Sequence, residues 1–350
     1  MELTHGGDWA GFQEQYHQMP LDFSANISPL GTPEGVRRAI ETAAVDQYPD
    51  PLCRTLRAAL AQKEALPVGY IFCGNGAAEL IFRVVLARRP RRALLTAPTF
   101  SEYETALRAA ECQVNYHALH EENDFALDEG ILEAIQPGVD MVFLCHPNNP
   151  TGLATPQTLM GKVLRRCRDM GAVLVADESF IEFLDIPTMH SLADKVEKYK
   201  NLLILKSFTK LYAIPGVRLG YCLSSDTALL KAMAQAGPAW SVSSVAQDAG
   251  LAALRETDYV SQVRRLIQKE RPWLTAQLER LGLRVIPGQA NYLMFQCPTP
   301  LTEPLGQRGI LLRSCGNYRG LDDTWYRTAV RTREDNERLI QALEEVLAHG

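Results

Sequence analysis

The sequence predicts an α/β protein: a large domain with a mostly parallel sheet covered by helices on both faces, and a smaller α+β domain. Three observations carry this reading. Short apolar runs alternate with amphipathic stretches through the middle of the chain, which is the pattern of βα units and a mostly parallel sheet. Polar, chemistry-bearing residues fall just after several of those runs, at the carboxyl ends of strands where such sheets bind ligands. Beyond about Ala236 the alternation stops and a different pattern begins.

The apolar runs at 70–73, 93–96, 114–118, 141–145, 173–176, 202–205 and 219–223 read as strands. Helical periodicity lies between most of them, for example at 77–87, 102–110 and 156–170, where apolar residues recur at helical spacing. The later part of the chain begins with a long amphipathic helix over 258–281. Strand-like runs follow at 284–286, 291–295, 309–313 and 325–330, and a closing helix covers 333–347. The first fifty or so residues are rich in proline and glycine and show no clear element; they are expected to wrap across domains or across a dimer. The expected organisation is an arm plus part of the small domain at 1–48, a large ligand-binding domain at 49–236, and an interdomain helix with a C-terminal small domain at 237–350.

Composition narrows the class. The chain has 350 residues, 46% hydrophobic and 22% charged, as in ordinary soluble globular proteins. A net charge of −5 without a lysine- or arginine-rich tract argues against a nucleic-acid partner. The densest basic cluster, Arg88, Arg89, Arg91 and Arg92, lies between a helical pattern and a strand and reads as a solvated turn. The eight cysteines are scattered, form no C-x-x-C, and read as reduced structural thiols of a cytoplasmic protein, neither disulfides nor metal ligands. No metal is expected. No stretch approaches the ~20 apolar residues of a membrane helix, so no membrane partner is expected either.

Lys210 follows the run 202–205, with Ser207 before it and Arg218 after it in a glycine-containing turn. A lysine amine can form an imine with an aldehyde, and the serine and arginine can hold a phosphate beside it. An aldehyde that carries a phosphate is pyridoxal phosphate, which needs such a lysine and an acidic partner for its pyridine nitrogen. For this segment alone, a surface serine and lysine after a core strand is the alternative. Asp177 ends the run 172–177, and a carboxylate at the tip of a buried strand is costly unless a cation or donors meet it. A pyridinium nitrogen would be such a partner; a helix cap or a surface acid is the other reading. Gly76, Ala77 and Ala78 open a helix after a strand, where unpaired backbone N–H groups and the helix dipole bind phosphate. A dinucleotide loop is disfavoured, because Glu79 stands where the third glycine of G-x-G-x-x-G would fall; an ordinary glycine turn stays open. Asn149 lies in the turn Pro147-Asn148-Asn149-Pro150-Thr151-Gly152, which two prolines and a glycine shape. Phe100, just past another strand, could stack on a flat ring or belong to the core.

Together, and in this order, these segments resemble the fold-type I PLP-dependent enzymes, specifically the class I/II aminotransferase superfamily, over nearly the whole chain. The resemblance implies that Lys210 is the Schiff-base lysine, that Asp177 pairs with the pyridine nitrogen and that Asn149 hydrogen-bonds the ring hydroxyl. It implies that Ser207, Arg218 and the backbone of Gly76, Ala77 and Ala78 hold the cofactor phosphate, and that Phe100 stacks on the ring. Tyr48, which precedes Pro49-Asp50-Pro51, matches a tyrosine that reaches the neighbouring subunit's cofactor, so the resemblance implies a homodimer with shared active sites. One departure is Phe180: many relatives carry a tyrosine there, whose hydroxyl would give the ring oxygen a second hydrogen bond.

Within the superfamily the chain is similar to the histidinol-phosphate aminotransferases and to the threonine-phosphate decarboxylases of cobalamin biosynthesis. Both have the Tyr48-to-Pro51 segment and an arginine pair, here Arg313 and Arg327, suited to bidentate grips on phosphate and carboxylate. The start His5-Gly6-Gly7-Asp8 and the stretch 22–31 around Asn26 resemble the decarboxylases' N-terminal signature. The resemblance therefore implies decarboxylation of L-threonine O-3-phosphate to (R)-1-aminopropan-2-yl phosphate, with His5, Asn26, Asn149, Arg313 and Arg327 on a small phosphorylated amino acid substrate. The alternative is an aminotransferase of the histidinol-phosphate type. A cofactor-binding regulator without turnover is disfavoured by the intact Lys210, Asp177, Asn149 and Arg218. A nucleotide-binding dehydrogenase is the remaining reading.

Overall fold

A computed structural model describes residues 5–348. Seven strands make the large sheet: β1 (Ile71–Gly74), β2 (Arg92–Ala97), β3 (Gln113–Ala118), β4 (Met141–Cys145), β5 (Val173–Asp177), β6 (Leu202–Ser207) and β7 (Gly220–Leu223). Their order is β3-β2-β4-β5-β6-β7-β1. Pairing is parallel except around β7, which runs antiparallel to both of its neighbours. The inner strands read as largely apolar runs because both faces are covered, whereas the edge strand β3 has no buried residue. Alternate side chains enter separate buried clusters: Leu94, Val142, Leu144, Leu174 and Ile204 in one, Leu95, Phe143, Val175, Leu203 and Leu205 in the other. The helix Gln157–Met170 sends Leu159, Val163 and Cys167 into the first cluster, and the helix Gly76–Arg88 sends Leu80, Ile81 and Val84 into the second.

The later part of the chain forms an antiparallel sheet of β8 (Arg284–Val285), β9 (Tyr292–Gln296), β10 (Arg313–Ser314) and β11 (Trp325–Ala329), in the order β10-β11-β9-β8. The helices Thr257–Arg280 and Arg333–Ala348 accompany it. The expected strand at 309–313 is divided: Ile310–Leu311 pairs in parallel with Leu21–Asp22, and Arg313 has moved to the four-stranded sheet beside Arg327.

The first fifty residues are not without elements. They form the helices Trp9–Tyr16 and Glu34–Glu41 as well as the strand Leu21–Asp22. These elements are short and draw on distant partners, which local periodicity does not report. The Asp8 side chain caps the first helix by accepting from the Gly11 N–H at 3.1 Å. The Trp9 indole N–H donates to Asp22 at 2.7 Å, and Val36 of the second helix is fully buried.

Candidate active site

One cavity of about 700 Å³ lies at the carboxyl ends of the parallel strands. Lys210, Asp177, Asn149, Ser207, Arg218, Ala77, Ala78, Phe100, His5, Asn26, Arg313 and Arg327 all line it. Two of the residues selected from sequence do not. Gly76 is buried behind the Arg218 guanidinium: with φ at +79°, a Cβ there would stand 2.8 Å from an Arg218 nitrogen. Tyr48 lies away from the cavity, 79% exposed, with its ring 4.8 Å from that of Trp240.

β5 delivers Asp177, which is 4% exposed. One carboxylate oxygen accepts from the Tyr103 hydroxyl at 2.7 Å, and the other from the Ser179 N–H at 3.0 Å. Tyr103 is fully buried and stacked on Phe143 at 5.0 Å. Burial, then the neighbouring Asp177 carboxylate, pushes its hydroxyl well above the usual phenol range, so it remains a donor. The sequence reading missed Tyr103. It sits three residues beyond Phe100 on the inner face of the helix Glu102–Ala109, where an aromatic reads simply as core.

The loop after β4 carries Asn148 and Asn149, and their roles differ. Asn148 is structural: it accepts from Thr99 Oγ1 at 3.0 Å and donates to the Pro98 carbonyl at 3.1 Å, tying the loop to the turn that carries Phe100. The carbonyl oxygen of the Asn149 side chain faces the cavity and accepts from Arg327 and, at 3.3 Å, from the Tyr318 hydroxyl. His146 anchors the base of the loop. Its Nδ1 accepts from the Thr155 N–H at 3.1 Å and its Nε2 donates to the His190 carbonyl at 3.2 Å, an arrangement that requires the neutral ring. Burial accordingly lowers its pKa to about 4.

Lys210 follows β6, and its amine lies 3.2 Å from Thr209 Oγ1. Burial first, then the positive charges of Arg218 and Arg327, bring its pKa down to about 8. A lysine so placed holds a useful fraction of neutral, nucleophilic amine near physiological pH. Arg218 has a left-handed backbone (φ 61°) and brings its guanidinium to the first turn of the helix Gly76–Arg88. Two positive ends thus meet, the guanidinium and the helix N-terminus, and an anion between them relieves the repulsion. Gly220 permits this approach, because a Cβ there would stand 2.6 Å from the Ala77 nitrogen.

These residues fit pyridoxal phosphate: an anion cradle, a lysine of lowered pKa and a fixed carboxylate share one cavity. The other end of the cavity fits an amino acid substrate with further negative charge. Arg327 is 5% exposed and donates to the Ser24 carbonyl at 2.7 Å. Among the described residues its Nε and the side-chain oxygen of Asn26 are buried without a partner, leaving a donor and an acceptor for a ligand. The Arg313 guanidinium stacks 5.5 Å from the Tyr318 ring centre. Phe180 is buried with its ring 5.0 Å from that of Tyr292 and brings no hydroxyl to the cavity wall.

Comparison with known proteins agrees with this geometry. Over 333 residues the chain is 40% identical to threonine-phosphate decarboxylase of Salmonella typhimurium, covering 93% of this chain and 91% of the relative. It is 32% identical to part of an adenosylcobalamin biosynthesis bifunctional protein of Leptospira interrogans, covering 98% of this chain and 41% of that protein. In structure it is similar to histidinol-phosphate aminotransferase from Clostridium acetobutylicum, with a TM-score of 0.88 and 27% identity, covering 94% of this chain and all of the other. The family described as aminotransferase class I and II matches residues 18–343, and the chain belongs to that family.

Proposed function

We propose that this chain is a PLP-dependent carboxy-lyase that converts L-threonine O-3-phosphate into (R)-1-aminopropan-2-yl phosphate and CO₂, as a step in cobalamin assembly. The observation that carries the reading is the 40% identity to a threonine-phosphate decarboxylase across nearly the whole of both chains. The cavity supports it, with a second set of cations, Arg313 and Arg327, beyond those around Lys210 and Arg218.

In this reading the cofactor phosphate is held by Ser207, Arg218 and the amides of Ala77 and Ala78. Asp177, fixed by Tyr103 and Ser179, holds the proton of the pyridine nitrogen. Asn149 meets the ring hydroxyl and Phe100 covers the ring. When bound, the cofactor supplies an electron sink for the Cα of the amino acid. The chain's own task is orientation. Arg313, Arg327, Asn26 and His5 hold the substrate's phosphate and carboxylate so that the bond to the carboxylate, rather than the Cα–H bond, is the one that breaks. As CO₂ departs, the Lys210 side chain in its ammonium form would give a proton to Cα and be left as the neutral amine. Cavity walls such as Phe180 keep water from the reacting carbon.

Two further parts of the reading are supported by the surface and the thiols. Tyr48, Trp240, Val45 and Leu52 are large apolar side chains left exposed, and we infer that a second copy of the chain covers them, with Tyr48 reaching the partner's cofactor. All eight cysteines are free thiols, which suits the cytoplasm, and among the described residues no helix is long and apolar enough to cross a membrane. The pairing of Leu21–Asp22 with Ile310–Leu311 supports grouping residues 1–48 with the small domain.

The test is incubation of PLP-loaded protein with L-threonine O-3-phosphate and no keto acid. Stoichiometric CO₂ and the amine phosphate are expected. Absence of CO₂, with amino transfer from histidinol phosphate to a keto acid, would replace the reading with the aminotransferase.

A further inference from the structure

The mouth of the cavity is crossed by the first described residues. His5, Gly6, Gly7 and Trp9 all line it. On one side this strap is fastened by Gly7, whose N–H donates to Ser24 Oγ at 2.8 Å, and by Trp9, bonded to Asp22. Gly6 lies so flat against the same segment that a Cβ would stand 2.4 Å from the Ser24 carbonyl oxygen. A single polar contact reaches the opposite wall among the described residues: His5 Nε2 lies 2.8 Å from Glu102 Oε1, at the first residue of the helix Glu102–Ala109. The His5 ring also packs 5.6 Å from that of Phe100.

Glu102 is out of place in a cavity that otherwise collects cations for an anionic substrate. Of the three lining carboxylates, Asp22 is committed to Trp9, Ser24 and Ala25, and Asp177 is the group assigned above to the cofactor. Glu102 alone would repel an incoming phosphate, unless its charge is spent on His5. With Nε2 committed to Glu102, Nδ1 is the ring nitrogen left for the cavity, and in the imidazolium it is an N–H donor.

We propose that Glu102 is a positioning residue: its carboxylate holds the His5 ring across the cavity mouth so that Nδ1 meets the substrate phosphate, latching the strap over bound substrate. The proposal rests on the reading of His5 as a phosphate contact given above. It adds the residue that makes His5 effective, and a reason for the two glycines behind it.

The test uses holoenzyme of wild type, E102A, E102Q, H5A and the E102A/H5A double variant. KM and kcat are measured with whichever phosphorylated amine wild type turns over, and the dissociation constant of inorganic phosphate is measured calorimetrically. Glu102 and His5 lie at the surface end of the cavity, and unchanged melting temperatures would show that the variants fold. The expected result is a KM raised roughly fivefold in E102A, a phosphate affinity weakened by the same factor, and kcat within about twofold. H5A should match it, and the double variant should be no worse than either single one. Tighter phosphate binding in E102A, as for a carboxylate that only repels, would overturn the proposal, as would unchanged values or effects that multiply. Failure of the decarboxylase reading shows in wild type alone, whereas failure of the latch shows only in the variants. If wild type turns over nothing, the phosphate affinities still decide.

Discussion

Lys206 and Lys210 bracket the end of one strand and face opposite sides of the sheet. Lys206 is buried at 6% exposure with its amine 3.5 Å from Glu178 and 3.6 Å from Glu64. Burial pulls its pKa down, but the two carboxylates outweigh that and hold it well above the ordinary lysine value. Lys210, on the cavity wall and partly buried, has Arg218 and Arg327 as its charged neighbours, and burial together with those cations brings its pKa down to about 8. The adjoining strand repeats the contrast. Asp177 turns to the cavity, while Glu178 turns away to accept from Ser191 Oγ at 2.6 Å and from the Leu192 N–H at 2.8 Å. Burial lowers the pKa of both lysines, and the sign of the neighbouring charge then separates them: carboxylates make Lys206 a structural cation, while arginines leave Lys210 a reactive amine.

Breaking each side of the comparison gives the two largest expected effects. K210A removes the amine proposed to move the proton at Cα, and turnover should fall by at least roughly 10²–10⁴-fold, measured as CO₂ release, with folding intact by circular dichroism. K206M leaves Glu178 and Glu64 buried without their cation and should destabilise the protein by about 3–5 kcal/mol in urea unfolding. Activity per folded molecule should change little.

His146 sharpens the comparison, because no carboxylate offsets its burial: burial is the largest influence on its state, and the nearby His190 ring adds to it while the His190 carbonyl opposes it. Its pKa is 6.5 when free and about 4 when folded, so below pH 6.5 the unfolded chain binds the extra proton. The contribution is therefore complete above about pH 6.5 and is lost as pH falls toward 4, up to roughly 3 kcal/mol. Unfolding free energies of wild type and H146Q, compared near neutrality and near pH 4.5, should show the smaller acid loss in H146Q. The smallest effect concerns the partner of Asp177. Y103F removes one donor to that carboxylate and should lower kcat/KM roughly tenfold. A ¹⁵N shift of the bound pyridine nitrogen should report weaker protonation; an unchanged shift would reduce Tyr103 to packing.

Most of this contrast could be read from sequence on the cavity side only. Asp177, Asn149 and Lys210 lie at or just past the ends of apolar runs and Arg218 in the turn that follows Lys210; each position alone leaves another reading open, and it is their order along the chain, matched to a family, that selects them. The inner strands of the large sheet are legible because runs such as 141–145 are buried on both faces, while the edge strand β3 is only partly covered. What could not be read depends on partners far along the chain. Tyr103 meets Asp177 across 74 residues, and Glu64 meets Lys206 from a helix that precedes the sheet. Leu21–Asp22 is a strand only because Ile310–Leu311 lies beside it. Helical spacing marks Tyr103 as core, which it is, and says nothing of where its hydroxyl points.

The most direct test of the account is to add pyridoxal phosphate to cofactor-free protein from about pH 6 to about pH 10, trap the product with borohydride and map the modified lysine. Modification should fall on Lys210 and leave Lys206 untouched, with an initial rate that rises through an inflection near pH 8 as the amine loses its proton. Modification of Lys206, or a rate at Lys210 that climbs only near the ordinary lysine value, would contradict the claim that charge neighbours set the two lysines apart.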